Sequence, residues 1–294
     1  MSDRPLVFDL AGVRLVFPSL SPRDFHVSFS MFIAQDGCAG ETCEIDLVGP
    51  SDELCAMRVK GAWHFSQSEA GVCLMGANPA GEVMWRMTGA APFGRVRFEW
   101  HPTAFEAMYR NETHGMFGIV AIVALVLRLL PVGGLVLHGS AQVVDGQGII
   151  CTGPSGRGKS TISRLFDGCG VPVLTDERLV VRPVARADGA GWEGFRVYGT
   201  PWPSSGDFVM NASAPLKKIY FIEHGPEQEI VPLATREAVL RLLDVAMVPW
   251  LDTAFFDPLI RTLEEVIRTV PHAVLRFRPD ASVVDAVRRD LAAF

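Results

Sequence analysis

The sequence predicts an α/β chain in which a phosphate-binding-loop domain follows an N-terminal antiparallel β-rich domain, and three observations carry that prediction. The stretch Gly153-Pro154-Ser155-Gly156-Arg157-Gly158-Lys159-Ser160-Thr161 fits G-x-x-x-x-G-K-[ST]. A short apolar run at 148–152 precedes it and a helical pattern at 161–166 follows, which is the strand–loop–helix setting such a loop needs. From residue 6 to about residue 100 the pattern is instead one of short alternating segments parted by turn residues, the mark of strands.

Taken in order, strands are expected at 13–17, 26–33, 43–48, 56–65, 71–75, 83–87 and 96–100, with turns at Asp36-Gly37, Gly49-Pro50 and Asn78-Pro79. They make a domain over 1–101, in which Trp63, Trp85 and Trp100 read as core rather than as a ligand platform. Residues 102–131 turn helical, at 105–108 and again in the apolar run 116–127, and form a linker helix region. The remaining 132–294 alternate strands and helices. Strands are expected at 135–144, 148–151, 172–175, 179–183, 195–198, 217–223 and 273–277, and helices after the loop and at 236–247, 259–269 and 282–292. A Gly-rich turn is expected at 189–191. Residues 199–207, with two prolines, Trp202 and paired serines, read equally as an adjustable loop over a substrate and as a structural corner with Trp202 inside.

Composition narrows the function. Of 294 residues 49% are hydrophobic and 20% charged, enough apolar material for two cores. The net charge of −6, without any block of Lys or Arg, argues against nucleic acid and against a membrane surface as partners. The apolar run 116–127 is too short to span a bilayer. Six cysteines show neither C-x-x-C pairs nor zinc spacing, so free thiols in a reducing cytoplasm are expected.

The chemistry centres on the loop. Its glycines let backbone N–H groups close on phosphate oxygens, and the helix that follows adds its partial positive charge. Gly153, Ser155, Gly156, Arg157, Gly158, Lys159, Ser160 and Thr161 would hold ATP. Lys159 would reach the β- and γ-phosphates and Ser160 would hold Mg2+. Asp176 and Glu177 end the next strand after the loop's helix. Paired carboxylates there suit metal binding for one and proton acceptance for the other. His138 lies in an apolar strand beside small residues, a setting more common for a satisfied core histidine.

Together, His138-Gly139-Ser140-Ala141, the loop, and Thr175-Asp176-Glu177-Arg178 resemble the catalytic domain of HPr kinase/phosphorylase and its relatives. Spacings of 15 residues from His138 to Gly153 and 17 from Lys159 to Asp176 are similar to that family's. The resemblance covers 131–185 and continues weakly through 217–223 and 275–280. It implies a P-loop kinase domain of HPr kinase/PEP-carboxykinase type, with Asp176 as the catalytic base, His138 beside it and the transferred group, and Glu177 on the metal. Two departures matter. Glu177 stands where the family has a second aspartate, and 199–206 replaces the family's Gly-rich substrate segment, which argues against HPr as the substrate.

These readings give an ATP- and Mg2+-dependent kinase acting on a hydroxyl acceptor, either a small molecule or a serine or threonine of a peptide or protein. The alternative is a nucleotide-sensing module without physiological transfer, which would have no use for a base at Asp176. A homo-oligomer is left open.

Overall fold

The computed structural model describes residues 4–35, 40–103, 116–186, 188, 191–247 and 253–293. Its contacts divide the chain into two compact units, Met1–Val132 with Val248–Asp257, and Gly133–Met247 with Pro258–Phe294. The turn expected at Asp36-Gly37, the helical pattern at 105–108 and most of the Gly-rich turn at 189–191 lie outside the described residues.

The first unit is built on a seven-stranded sheet. Strands β1 (Leu6–Leu10) and β2 (Val13–Phe17) form a hairpin whose alternate residues Phe8, Leu10, Leu15 and Phe17 are buried. The sequence alternates at period two, so one face goes inward. β3 (Glu41–Pro50) lies between β2 and β7 (Arg95–Trp100), and β4 (Trp63–Ser68), β5 (Gly71–Ala77) and β6 (Val83–Gly89) complete an antiparallel meander with β7. The sheet is mixed rather than antiparallel throughout, because β3 runs parallel to both neighbours. A parallel neighbour needs a crossover in place of a hairpin, and 18–40 is the crossover between β2 and β3.

That crossover corrects the strand expected at 26–33. Val27–Phe32 is a 3-10 helix, and the Ser28 amide donates to His26 Nδ1. Phe25, Phe29 and Phe32 recur at helical spacing and are buried, with Phe25 and Phe29 meeting Phe8 at ring distances of 4.8 and 5.2 Å. The apparently alternating Val27 and Met31 are exposed. The strand expected at 56–65 is also displaced. Asp52–Ala56 is a short helix, α1, that seats Leu54 against Met75 and Val83, and β4 begins only at Trp63. Trp85 is buried as expected, but Trp63 is 47% exposed. Helix α2 (Met116–Leu129) buries Val120, Ala121, Ala124 and Leu125, and its Arg128 pairs with Glu41 at 2.9 Å. Among the described residues no helix is long and apolar enough to cross a membrane.

In the second unit an eight-stranded mixed sheet carries the loop. β8 (Leu135–Val144) and β9 (Gln147–Thr152) are a hairpin closed by Asp145 and Gly146, both at positive φ. β9 runs parallel to β13 (Ser213–His224), which runs parallel to β15 (His272–Phe277). β10 (Val173–Thr175) and β11 (Arg178–Ala185) are antiparallel to β8, and β12 (Trp192–Tyr198) joins β11 to β13. A short strand that sequence patterning misses, β14 (Glu229–Pro232), edges β15. Its four residues are too few to show a period.

Helices α3 (Lys159–Gly168) and α6 (Ser282–Ala292) share one core with the parallel strands. Ile162 and Phe166 meet Val283, Val284, Val287 and Leu291 around Cys151, Ile222, Leu275 and Phe277. Each helix supplies apolar residues at helical spacing, so one face is buried and the other is wet. Lys218 is buried and pairs with Asp290 of α6 at 2.7 Å, and the Tyr220 hydroxyl donates to the same carboxylate. Burial and that carboxylate push the Tyr220 phenol above its ordinary range. Helices α4 (Thr235–Leu243) and α5 (Thr253–Thr269) complete the described elements.

Candidate functional site

The loop leaves the end of β9 and turns into α3 through two glycines in the left-handed region, Gly156 at φ +80° and Gly158 at +94°. Only glycine takes that conformation without strain. A Cβ on Gly158 would also lie 3.0 Å from the Phe277 ring. Residues 154–157 are exposed. The N-terminus of α3 has no side-chain cap, so its first amides are left for a ligand. Lys159 is buried and folds back along the loop, donating from Nζ to the carbonyls of Gly153 at 2.8 Å and Pro154 at 3.1 Å. Burial lowers its pKa, with Glu177 opposing and Arg178 adding to the fall.

His138, Glu177 and Arg178 gather beside it. The register of β8 on β11 sets His138 opposite Arg178. His138 Nδ1 lies 3.0 Å from the Glu177 carbonyl and 3.4 Å from Glu177 Oε1, while Arg178 Nη1 is 2.6 Å from that same Oε1. Burial lowers the His138 pKa, Glu177 opposes this, and Lys159 and Arg178 reinforce it. The imidazole is therefore neutral at pH 7, a hydrogen-bonding group rather than a cation. Its Nδ1 either donates to the Glu177 carbonyl or accepts from Arg178, since one nitrogen cannot do both.

Asp176 takes a different setting from the one its neighbour has. It is fully buried, directly after β10. Its Oδ1 accepts the Ser204 amide at 3.0 Å, and its Oδ2 accepts the Ser204 hydroxyl and the Gly206 amide, each at 3.0 Å. A Cβ on Gly206 would fall 2.4 Å from Oδ2, so only glycine lets that backbone reach the carboxylate. The Ser204 hydroxyl is also 3.0 Å from the Ser160 hydroxyl. Asp176 thus reaches the loop through Ser204, a residue that sequence reasoning did not single out.

The segment carrying Ser204 is strapped to the site. The Gly199 amide donates to the Ala212 carbonyl, the Met210 amide donates to the Leu174 carbonyl, and Thr175 bridges Val209. A Cβ on Gly199 would sit 2.1 Å from the Met210 carbonyl oxygen. Trp202 is 1% exposed, which decides between the two readings of this segment. It is a corner anchored in the core.

On the other side of the loop lies an open cleft lined by Gly153, Pro154, Arg157, Phe221, Glu223 and Arg241 among others. Arg241 is held there by Glu223 at 2.9 Å and Glu237 at 2.7 Å. Among the described residues no group of three His, Cys, Asp or Glu side chains could hold a metal on its own. Magnesium does not need one, since it keeps water and substrate phosphates and takes only one or two protein oxygens. The Ser160 hydroxyl, with the Asp176 carboxylate one hydrogen-bonded residue away through Ser204, fits that habit.

Comparison with known proteins gives one assignment. Residues 108–270, more than half of the chain, match the family model described as SynChlorMet cassette protein ScmC. The chain belongs to the ScmC family. No curated protein matches this ScmC-family chain. Among solved structures, the Hpr(Ser) kinase/phosphatase from Coxiella burnetii is similar over 54% of this chain and 96% of its own. That likeness has 12% sequence identity and a TM-score of 0.31, too loose to carry a role for any residue.

Proposed function

We infer that the second unit is an ATP- and Mg2+-dependent kinase of the HPr-kinase type, transferring the γ-phosphoryl group to a hydroxyl of a small molecule, a peptide or a protein. One observation carries the reading: a G-x-x-x-x-G-K-S loop at an uncapped helix N-terminus, joined through Ser204 to a buried aspartate.

Bound MgATP would supply the phosphoryl group and the charge that neutralises it. The chain's own residues do the rest, mainly by positioning and by electrostatics. The amides of 155–161 cradle phosphate oxygens. Lys159 exchanges the carbonyls of Gly153 and Pro154 for the β- and γ-phosphates. Its burial limits competition from water and strengthens that attraction. The Ser160 hydroxyl and Glu177 would hold the metal, with neutral His138 and Arg178 fixing the Glu177 side chain. Asp176 accepts the proton of the attacking hydroxyl; it already accepts a hydrogen bond from the Ser204 hydroxyl.

A second reading, a nucleotide sensor, draws on the fact that hydrogen bonds engage both Asp176 oxygens. Radiolabelled ATP separates the two. The chain is incubated with MgATP and pools of peptides, proteins and metabolites, and the label is followed. Label on a hydroxyl, absent with Lys159→Ala, supports the kinase. MgATP binding without transfer to any acceptor, the chain itself included, supports the sensor.

A further inference from the structure

We propose that Ser204 is itself a phosphoryl acceptor, so that this chain phosphorylates its own 199–212 segment in cis; the proposal rests on the kinase reading above and names a substrate for it. Among the described residues Ser204 is the one hydroxyl that meets both the assigned base and the metal-holding serine. Its Oγ is 3.0 Å from Asp176 Oδ2 and 3.0 Å from Ser160 Oγ. A carboxylate can only accept, so the Ser204 proton is committed to Asp176, and the Ser160 hydroxyl must donate to Ser204. The Ser204 oxygen is therefore already hydrogen-bonded to the group that would remove its proton.

The arrangement is held by the backbone rather than by the serine side chain. The amides of Ser204 and Gly206 both donate to Asp176, and Trp202 anchors the segment two residues earlier. Little ordering remains to be done before attack, which favours an intramolecular acceptor over a free one. Ser204 is only half-buried, while its neighbour Ser205 is exposed and turned toward Arg164, which donates to the Ser205 carbonyl at 2.9 Å.

In the step, Ser204 Oγ bonds to the γ-phosphorus of the nucleoside triphosphate as the bond to the β,γ-bridging oxygen breaks. The hydroxyl proton passes to Asp176, and the electron pair of the broken bond leaves with nucleoside diphosphate. The product, a phosphoserine dianion next to Asp176, would oppose a second round of nucleotide binding. Any external acceptor would compete with Ser204 for the same base.

The test uses the full chain, pretreated with phosphatase, incubated with MgATP and mapped by mass spectrometry, with MgATP affinity measured alongside by calorimetry. We expect one phosphoryl group, on Ser204, gained at a rate independent of protein concentration. Ser205→Ala should leave that labelling intact. Ser204→Ala should abolish it; Ser204→Glu should weaken binding about tenfold or more by like-charge repulsion. Label on another residue, or none on a wild-type chain that binds MgATP, overturns the proposal and leaves the kinase reading standing. A Ser204→Ala protein that loses MgATP affinity about tenfold while the wild type takes no label would make Ser204 a metal-positioning group, and also overturns it. Failure of the wild type to bind MgATP at all overturns the kinase reading and this proposal with it.

Discussion

Replacing Asp176 by Asn tests whether that carboxylate is a structural acceptor as well as a base. Three donors converge on it: the amides of Ser204 and Gly206 and the Ser204 hydroxyl, all at 3.0 Å. An Asn can turn its oxygen toward Ser204 Oγ and the Gly206 amide, but its NH2 then faces the Ser204 amide, donor against donor. The change therefore loses one charge-assisted bond, worth about 1.5–3 kcal/mol, and leaves a buried N–H unpaired. Relief from burying a charge offsets part of this, leaving about 2 kcal/mol of net destabilisation. For a unit of this size that lowers the melting temperature by about 4–8 °C. Scanning calorimetry of both proteins without nucleotide measures it, and limited proteolysis locates it, with new cleavage expected within 203–207. A melting temperature within about 1 °C of wild type and unchanged cleavage would refute the reasoning, because an aspartate serving only as a base could lose its charge at no structural cost.

Other consequences follow from burial and close approach. Trp202→Ala should destabilise the chain by about 3–5 kcal/mol, read by denaturant unfolding, whereas a flexible lid would lose almost nothing. Gly206→Ala should cost about 1–3 kcal/mol, since its Cβ would meet Asp176 Oδ2 at 2.4 Å and the Phe208 ring at 2.7 Å; wild-type stability would contradict the contact. Burial pushes the Cys43 thiol up to about 12, with Arg128 pulling the other way, and burial raises Cys151 as well. At pH 8 iodoacetamide should therefore modify exposed Cys169 and spare Cys43 and Cys151 until the chain is unfolded, and native-state labelling of Cys43 would speak against the packing around it.

How much of this could be read from the sequence depends on how local the determining interactions are. The loop needs only its own glycines, the strand before it and the helix after it, so nine consecutive residues announce it. The positions of Asp176 and Glu177 after a strand were equally legible. The hydrogen bonds that hold Asp176 were not, because they come from Ser204 and Gly206, 28 and 30 residues further along, in a segment with no periodic pattern. The same limit explains the N-terminal errors. Residues 26–33 alternate in composition, yet the Phe25, Phe29 and Phe32 spacing that places them on one face is helical. That β3 runs parallel to its neighbours is set by a crossover, which leaves no signature in the strand itself. Trp202 carried no local cue between corner and lid, since only tertiary burial separates them.

The central claim is that residues 153–161 bind the phosphates of MgATP with Lys159 as their cation. Calorimetric titration of MgATP into the wild type and into Lys159→Ala tests it most directly, with circular dichroism confirming that both are folded. The account predicts a single site on the wild type and an affinity at least about tenfold lower in the variant, the loss expected when a buried charged partner is removed. Equal affinity in two folded proteins, or no binding by the wild type, would contradict it.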